Sequence, residues 1–197
     1  MAAVSIHHEV EAIHHEAGAV DPGWVRRIEA TSGEPVRLCF GCGVCSGSCP
    51  LASAMDLLPG RVLRAIQLGL RDRVLQAVTP WVCIGCETCA VRCPNGIDVA
   101  RVMDAVRQEV LALERPVPMP GVYRFHRWFL RTVWLLGRAH EAALSAGYAL
   151  QQGRLRRDLP TGLRLMRRRR LALWPHAVRR RGEVRRLFGA GIREHER

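Results

Sequence analysis

Apolar residues in this chain recur at helical intervals. After the Pro59-Gly60 pair, Val62, Leu63, Ile66 and Leu70 share one face and predict a helix. Gly69 and Asp72 mark a turn, with Asp72 the expected N-cap of a second short helix carrying Val74, Leu75 and Val78 and stopping before Pro80. Asn95-Gly96 reads as another turn. Asp98 is the expected cap of a third helix, with Val99, Val102, Met103, Val106, Val110 and Leu113 on one face and Pro116 as its stop. Upstream, Trp24, Val25 and Ile28 follow Asp21-Pro22 and predict a short helix beside the first cysteine-rich stretch. The alternation of a half-buried strand occurs nowhere, so the chain reads as all-α.

The pattern continues downstream in a different key. Residues 123–137 (YRFHRWFLRTVWLLG) place Phe125, Trp128, Phe129, Val133 and Leu136 near one stripe, with Arg124, Arg127, Arg131 and Arg138 elsewhere: an amphipathic helix. Two basic blocks follow, at 167–170 and 179–181. A bilayer-spanning helix needs about 20 mainly apolar residues, and the best window, 128–150, contains Arg131, Arg138, His140 and Glu141.

Charge separates the two parts. Residues 1–115 carry 11 arginines and 13 acids, whereas 116–197 carry 19 arginines and 5 acids, so the whole basic excess lies downstream. There is no lysine. The basic part fits docking onto acidic partner proteins, which complementary charge would steer. Peripheral attachment to an anionic membrane is a second reading. Nucleic-acid binding is disfavoured, because Arg-rich blocks stand without a recognisable binding module. The start, MAAVSIHHEVEAIHHEAG, lacks the basic end and apolar run of an export signal, so the expected compartment is the cytoplasm. His7-His8 and His14-His15 invite a metal reading there, but residues 1–19 are expected to form a flexible, solvated segment. Trp81 and Trp174 are read as packing residues.

The chemistry lies in the cysteines. All eight fall in CFGCGVCSGSCP (39–50) and CIGCETCAVRCP (83–94), two copies of C-x2-C-x2-C-x3-C-P. Three thiolates at that pitch wrap one corner of a cubane, and the fourth, before proline, reaches the neighbouring cluster. Cys39, Cys42, Cys45 and Cys93 are therefore assigned to one 4Fe-4S cluster, and Cys83, Cys86, Cys89 and Cys49 to a second. Zinc fits a third cysteine and a trailing proline poorly, and a disulfide framework fits the reducing compartment poorly. Arg92, beside Cys93, is expected to raise the local potential and Glu87, between Cys86 and Cys89, to lower it.

RLCFGCGVCSGSCP, LLPGRVLRAIQLGLRDRVL, the second motif with its leading Trp81, and NGIDVARVM together resemble the C-type iron-sulfur subunit of heterodisulfide reductase. The downstream stretch from GRAHEAALSAGYALQQ onward resembles the extension of bacterial relatives, including those of sulfur oxidisers. The resemblance covers roughly residues 20–190 and implies an α-helical ferredoxin domain over 20–115, with an Arg-rich helical docking extension over 116–197. It matches all eight cysteines to cluster ligands. It implies a protein that passes electrons between an A-type flavoprotein and a B-type catalytic protein with CCG repeats. This chain contains no CCG, so catalysis is expected to lie in a partner. Two alternatives remain: service to a formate- or hydrogenase-linked oxidoreductase, or a purely structural role for the clusters.

Overall fold

Prolines, glycines and a capping aspartate set where the helices start and stop. In this computed structural model, residues 20–151, 153, 155–168 and 177–188 are described. The histidine pairs of residues 1–19, Arg169, Arg170 and Trp174 lie outside them. Every regular element among the described residues is helical, in agreement with the all-α reading. The chain divides into two compact units, Met1–Pro118 and Met119–Arg197.

In the first unit, α1 (Trp24–Ser32) is followed by a 3-10 turn (Val36–Leu38), α2 (Val44–Gly47) and a second 3-10 turn (Ala52–Ala54). Then come α3 (Pro59–Gln67), α4 (Arg71–Leu75), α5 (Thr79–Val82), α6 (Thr88–Val91) and the long α7 (Val99–Ala112). Pro59 opens α3 at a position where its missing N–H costs nothing. Asp98 caps α7, its carboxylate accepting from the Ala100 and Arg101 N–H groups at 2.9 and 3.2 Å.

The core lies between α1, α3, α4 and α7. Ile28, Leu63, Ile66, Val74, Val102 and Val106 are all at most 1% exposed. Each such side chain contributes roughly 1.5–3 kcal/mol by leaving water. One buried polar link crosses this core. The Trp24 indole N–H, on a residue 0% exposed, donates to Glu109 Oε2 at 2.5 Å, and Arg71 Nε donates to Glu109 Oε1 at 2.8 Å. Trp81 is buried, as expected of a packing residue.

Four sequence expectations need correction. Asp72 is not a cap: Leu70 holds that position, and Asp72, inside the first turn of α4, pairs with Arg115 at 2.6 Å. The helix through Val74 ends at Leu75, and Val78 instead caps α5, which runs through Pro80 because proline is tolerated in a first turn. Leu113 is exposed, since α7 ends at Ala112. Leu70 lies beyond the first of these helices, since α3 ends at Gln67. By contrast, the helix carrying Trp24 does lie against the 3-10 turn that leads into the first motif, as well as on α7.

The second unit holds α8 (Pro120–Leu136), α9 (Glu141–Gln151), α10 (Leu155–Arg167) and α11 (Arg181–Leu187). Trp128 Nε1 donates to Ala143 O at 3.0 Å, and Phe125 meets Tyr148 edge-on, fastening α8 to α9. Arg185 stacks on the Trp134 ring at 4.6 Å, fastening α11 to α8. Of the expected stripe, Phe125, Trp128, Val133 and Leu136 are half-buried, while Phe129 is exposed. No helix among the described residues is long and apolar enough to cross a membrane.

Candidate functional site

The two cysteine motifs adopt one backbone course. Cys39 (φ −68°, ψ 118°) and Cys83 (φ −61°, ψ 119°) both leave a short helical turn in extended conformation. Gly41 and Gly85 then take φ of 70° and 64°. The next left-handed position is Gly43 in the first motif (φ 77°) but Glu87 in the second (φ 58°), where a side chain tolerates a conformation that favours glycine. Each left-handed residue starts a four-residue helix, α2 or α6, that carries the third cysteine.

The repeat extends beyond the cysteines. Gln67 is the ninth residue of α3, and Arg107 the ninth of α7. Gln67 Nε2 donates to Cys39 O at 2.8 Å and to Val36 O, three residues earlier, at 3.0 Å. Arg107 donates to Cys83 O at 2.9 Å and to Pro80 O, again three residues earlier, at 2.6 Å. A helix-borne side chain thus braces each loop through the same two carbonyls. The sequence reading missed both residues. The cysteine motifs recur at an offset of 44 but the helices at 40, and the two braces differ in chemical type.

Hydrogen bonds also tie the end of each motif to the beginning of the other. Downstream of Cys49, the Asp56 carboxylate accepts from the Val78 and Thr79 N–H groups, at 2.9 and 3.1 Å, just upstream of Cys83. Burial pushes the Asp56 carboxyl up, but these bonds and those from the Thr79 hydroxyl and Leu57 N–H outweigh it and hold it below the usual carboxylate range. Downstream of Cys93, the Asn95 amide donates to Leu38 O, and Asp98 N–H donates to Glu34 Oε2 at 2.8 Å, both acceptors lying just upstream of Cys39.

Cys49, Cys83, Cys86 and Cys89 line one cavity, walled otherwise mainly by apolar side chains that include Met55, Ile84 and Met103. Cys39 and Cys42 lie close enough to Cys45 to act on its charge: burial raises the Cys45 thiol, and both neighbours raise it further, against a hydrogen bond with Ser46. Gly60 packs closely beside it: a Cβ there would stand 3.4 Å from Cys45 Sγ and 3.0 Å from Ser46 Oγ, a tight fit that the Ser46 side chain would have to accommodate. Burial, and then the charge of Cys83, pushes the Cys89 thiol up to about 11. Hydrogen bonding with Thr88 lowers Cys86, which is exposed. Helices α2 and α6 pack together, and Cys45 also acts on Cys89, so the two thiol groups adjoin at their most buried members. A soft, sulfur-rich donor set in an apolar wall fits an iron-sulfur core, which thiolates hold.

Residues 35–97 match the family model described as a 4Fe-4S dicluster domain. The chain is 32% identical over 92 residues to the C-type protein of the H(2):CoB-CoM heterodisulfide,ferredoxin reductase of Methanothermobacter marburgensis, covering 47% of this chain and 50% of that protein. It is 38% identical over 72 residues to the C-type iron-sulfur protein of the CoB--CoM heterodisulfide reductase of Methanopyrus kandleri, covering 36% of this chain and 38% of that protein. It is 35% identical over 82 residues to a protein of Archaeoglobus profundus that is itself named for its likeness to the C-type chain of heterodisulfide reductase, covering 41% of this chain and 44% of that protein. The chain spans at most about half the length of these relatives. Residues 35–97 match a 4Fe-4S dicluster domain and are similar to the C-type chain of heterodisulfide reductase, and the eight cysteines they carry fit two 4Fe-4S clusters.

Proposed function

We propose that this chain relays electrons within a heterodisulfide reductase-type complex, from a flavin-bearing, A-type partner to a CCG-repeat, B-type catalytic partner or in reverse. In this reading Cys39, Cys42, Cys45 and Cys93 hold one 4Fe-4S cluster, and Cys49, Cys83, Cys86 and Cys89 hold the other. The observation that carries it is the reciprocal tying of the motifs, Asp56 to Val78 and Thr79 on one side and Asn95 to Leu38 on the other. The cavity that Cys49 shares with Cys83, Cys86 and Cys89 supports the crossed assignment. When bound, such clusters supply one-electron transfer. The chain's own part is to hold them adjacent, exclude water with apolar walls and present an exit to each partner.

Phe40 and Ile84 follow the first cysteine of their motifs and are 69% and 68% exposed, an apolar residue beside each site for a partner to cover. In the second unit, Arg164, Arg167, Arg168 and the run 179–181 are exposed and suit an acidic partner surface. The extension's resemblance to sulfur-oxidiser relatives points to an assembly acting on sulfane sulfur. An anaerobic pull-down of the tagged chain from its own host, with co-eluting proteins identified, tests the assignment. Recovery of a CCG-repeat protein with a flavoprotein is the expected result. A formate- or hydrogen-oxidising enzyme in their place would overturn the assembly while leaving the relay.

A further inference from the structure

The two braces occupy equivalent places and differ in charge. Gln67 is neutral; Arg107 is a cation with its side chain only 19% exposed, directed at the backbone of the loop that begins at Cys83. We propose that Arg107 sets the two sites apart electrostatically, making the second-motif site the more electron-accepting of the pair. This rests on the two-cluster relay reading above.

The other charges near that site do not cancel it. Asp104 pairs with Arg107 at 3.1 Å, but its side chain is 59% exposed, so water and salt weaken its opposing field. Glu87, whose carboxylate opposes Arg107, is exposed. Arg92 is exposed too and adjoins Cys93, the cysteine read as a ligand of the first-motif site. Arg107 is thus a largely buried cation bonded directly to the backbone of the second-motif loop, at Pro80 O and Cys83 O. A cluster's potential follows nearby charge, hydrogen bonding and solvent exposure, and a charge acts more strongly where surrounding protein replaces water. The second site is thus where a transferred electron rests, and the first-motif site is its lower-potential neighbour.

Arg107→Gln tests the proposal cleanly, because it installs at the second site the side chain that already braces the first. The measurement is an anaerobic redox titration of the full-length protein followed by EPR, with iron content determined alongside. Cys86→Ser identifies which signal belongs to the second-motif cluster. The expected result is full iron content, a lowered midpoint potential for that cluster and an unchanged one for its neighbour. Unchanged potentials, or equal shifts in both, would overturn the assignment. Should Arg107→Gln lose its clusters, Gln67→Arg decides the matter from the other brace: a cation placed there must raise the first-motif cluster's potential and narrow the gap between the two, and no rise contradicts the proposal. A native protein without two clusters would instead sink the relay reading, an outcome that iron content separates from any shift in potential.

Discussion

At the scale of single residues, backbone constraint is concentrated at a few glycines whose demands differ. Gly69 has φ +70°, and a Cβ there would stand 2.5 Å from Asp21 O, backbone that α1 holds in place and that cannot move aside as a flexible side chain would. Gly33, after α1, has φ +74° with open space where its Cβ would be. Alanine at Gly33 meets only the left-handed penalty, about 1 kcal/mol. Alanine at Gly69 adds a collision with backbone and is expected to cost at least about twice that. Anaerobic denaturant titrations of Gly69→Ala and Gly33→Ala should give clearly separated midpoints, the Gly69 variant lower. Coincident midpoints would remove Asp21 from the account. Residue-level chemistry was legible in the sequence where spacing is diagnostic, as with eight cysteines that fit two 4Fe-4S clusters, or where a cap has a sequence signature, as with Asp98. Asp72 misled because aspartate suits both a cap and an ion pair, and only the position of Arg115, brought close by the fold, decides between them.

At the scale of elements, α5 has four residues and its own N-cap position, Val78, supplies no side-chain bond. A helix that short is not stable alone. Asp56 substitutes for the missing cap from 22 residues upstream, and α5 in turn delivers Cys83. Because the folded carboxyl lies below its ordinary 3.8, its stabilising contribution is fully present above that value and is lost as pH falls through the folded one. Asp56→Ala is therefore expected to lower stability on the order of 1 kcal/mol, as removal of an N-cap does, by the same amount at every pH between about 5 and 8. Melting of the two proteins across that range checks it; a gap that closes within it would contradict the assignment. Neither this cap nor the braces Gln67 and Arg107 were legible in sequence. Each acts on a segment at least 22 residues away, and periodicity reports only a residue's neighbours along its own helix.

At the scale of the molecule, the first unit is two copies of a cysteine loop followed by a bracing helix, tied reciprocally so that neither loop is complete alone. The all-helical class was legible from apolar spacing because helices dominate and strand alternation is absent. The duplication was only half visible, as a repeat of cysteines, since the bracing helices follow at another offset and share no residue at the brace. The basic second unit was legible as charge and amphipathicity, but charge identifies a kind of partner and not which one. The whole architecture depends on the crossing of ligands between motifs, and EPR of the reduced Cys49→Ser protein, set beside Cys86→Ser and Cys42→Ser, decides whether they cross. Cys49 lies in the first motif, yet its variant should reproduce the altered signal of Cys86→Ser and leave the signal affected by Cys42→Ser as in the native protein. A Cys49→Ser spectrum that instead matched Cys42→Ser would show that each motif closes its own cluster, and the crossed architecture would be wrong.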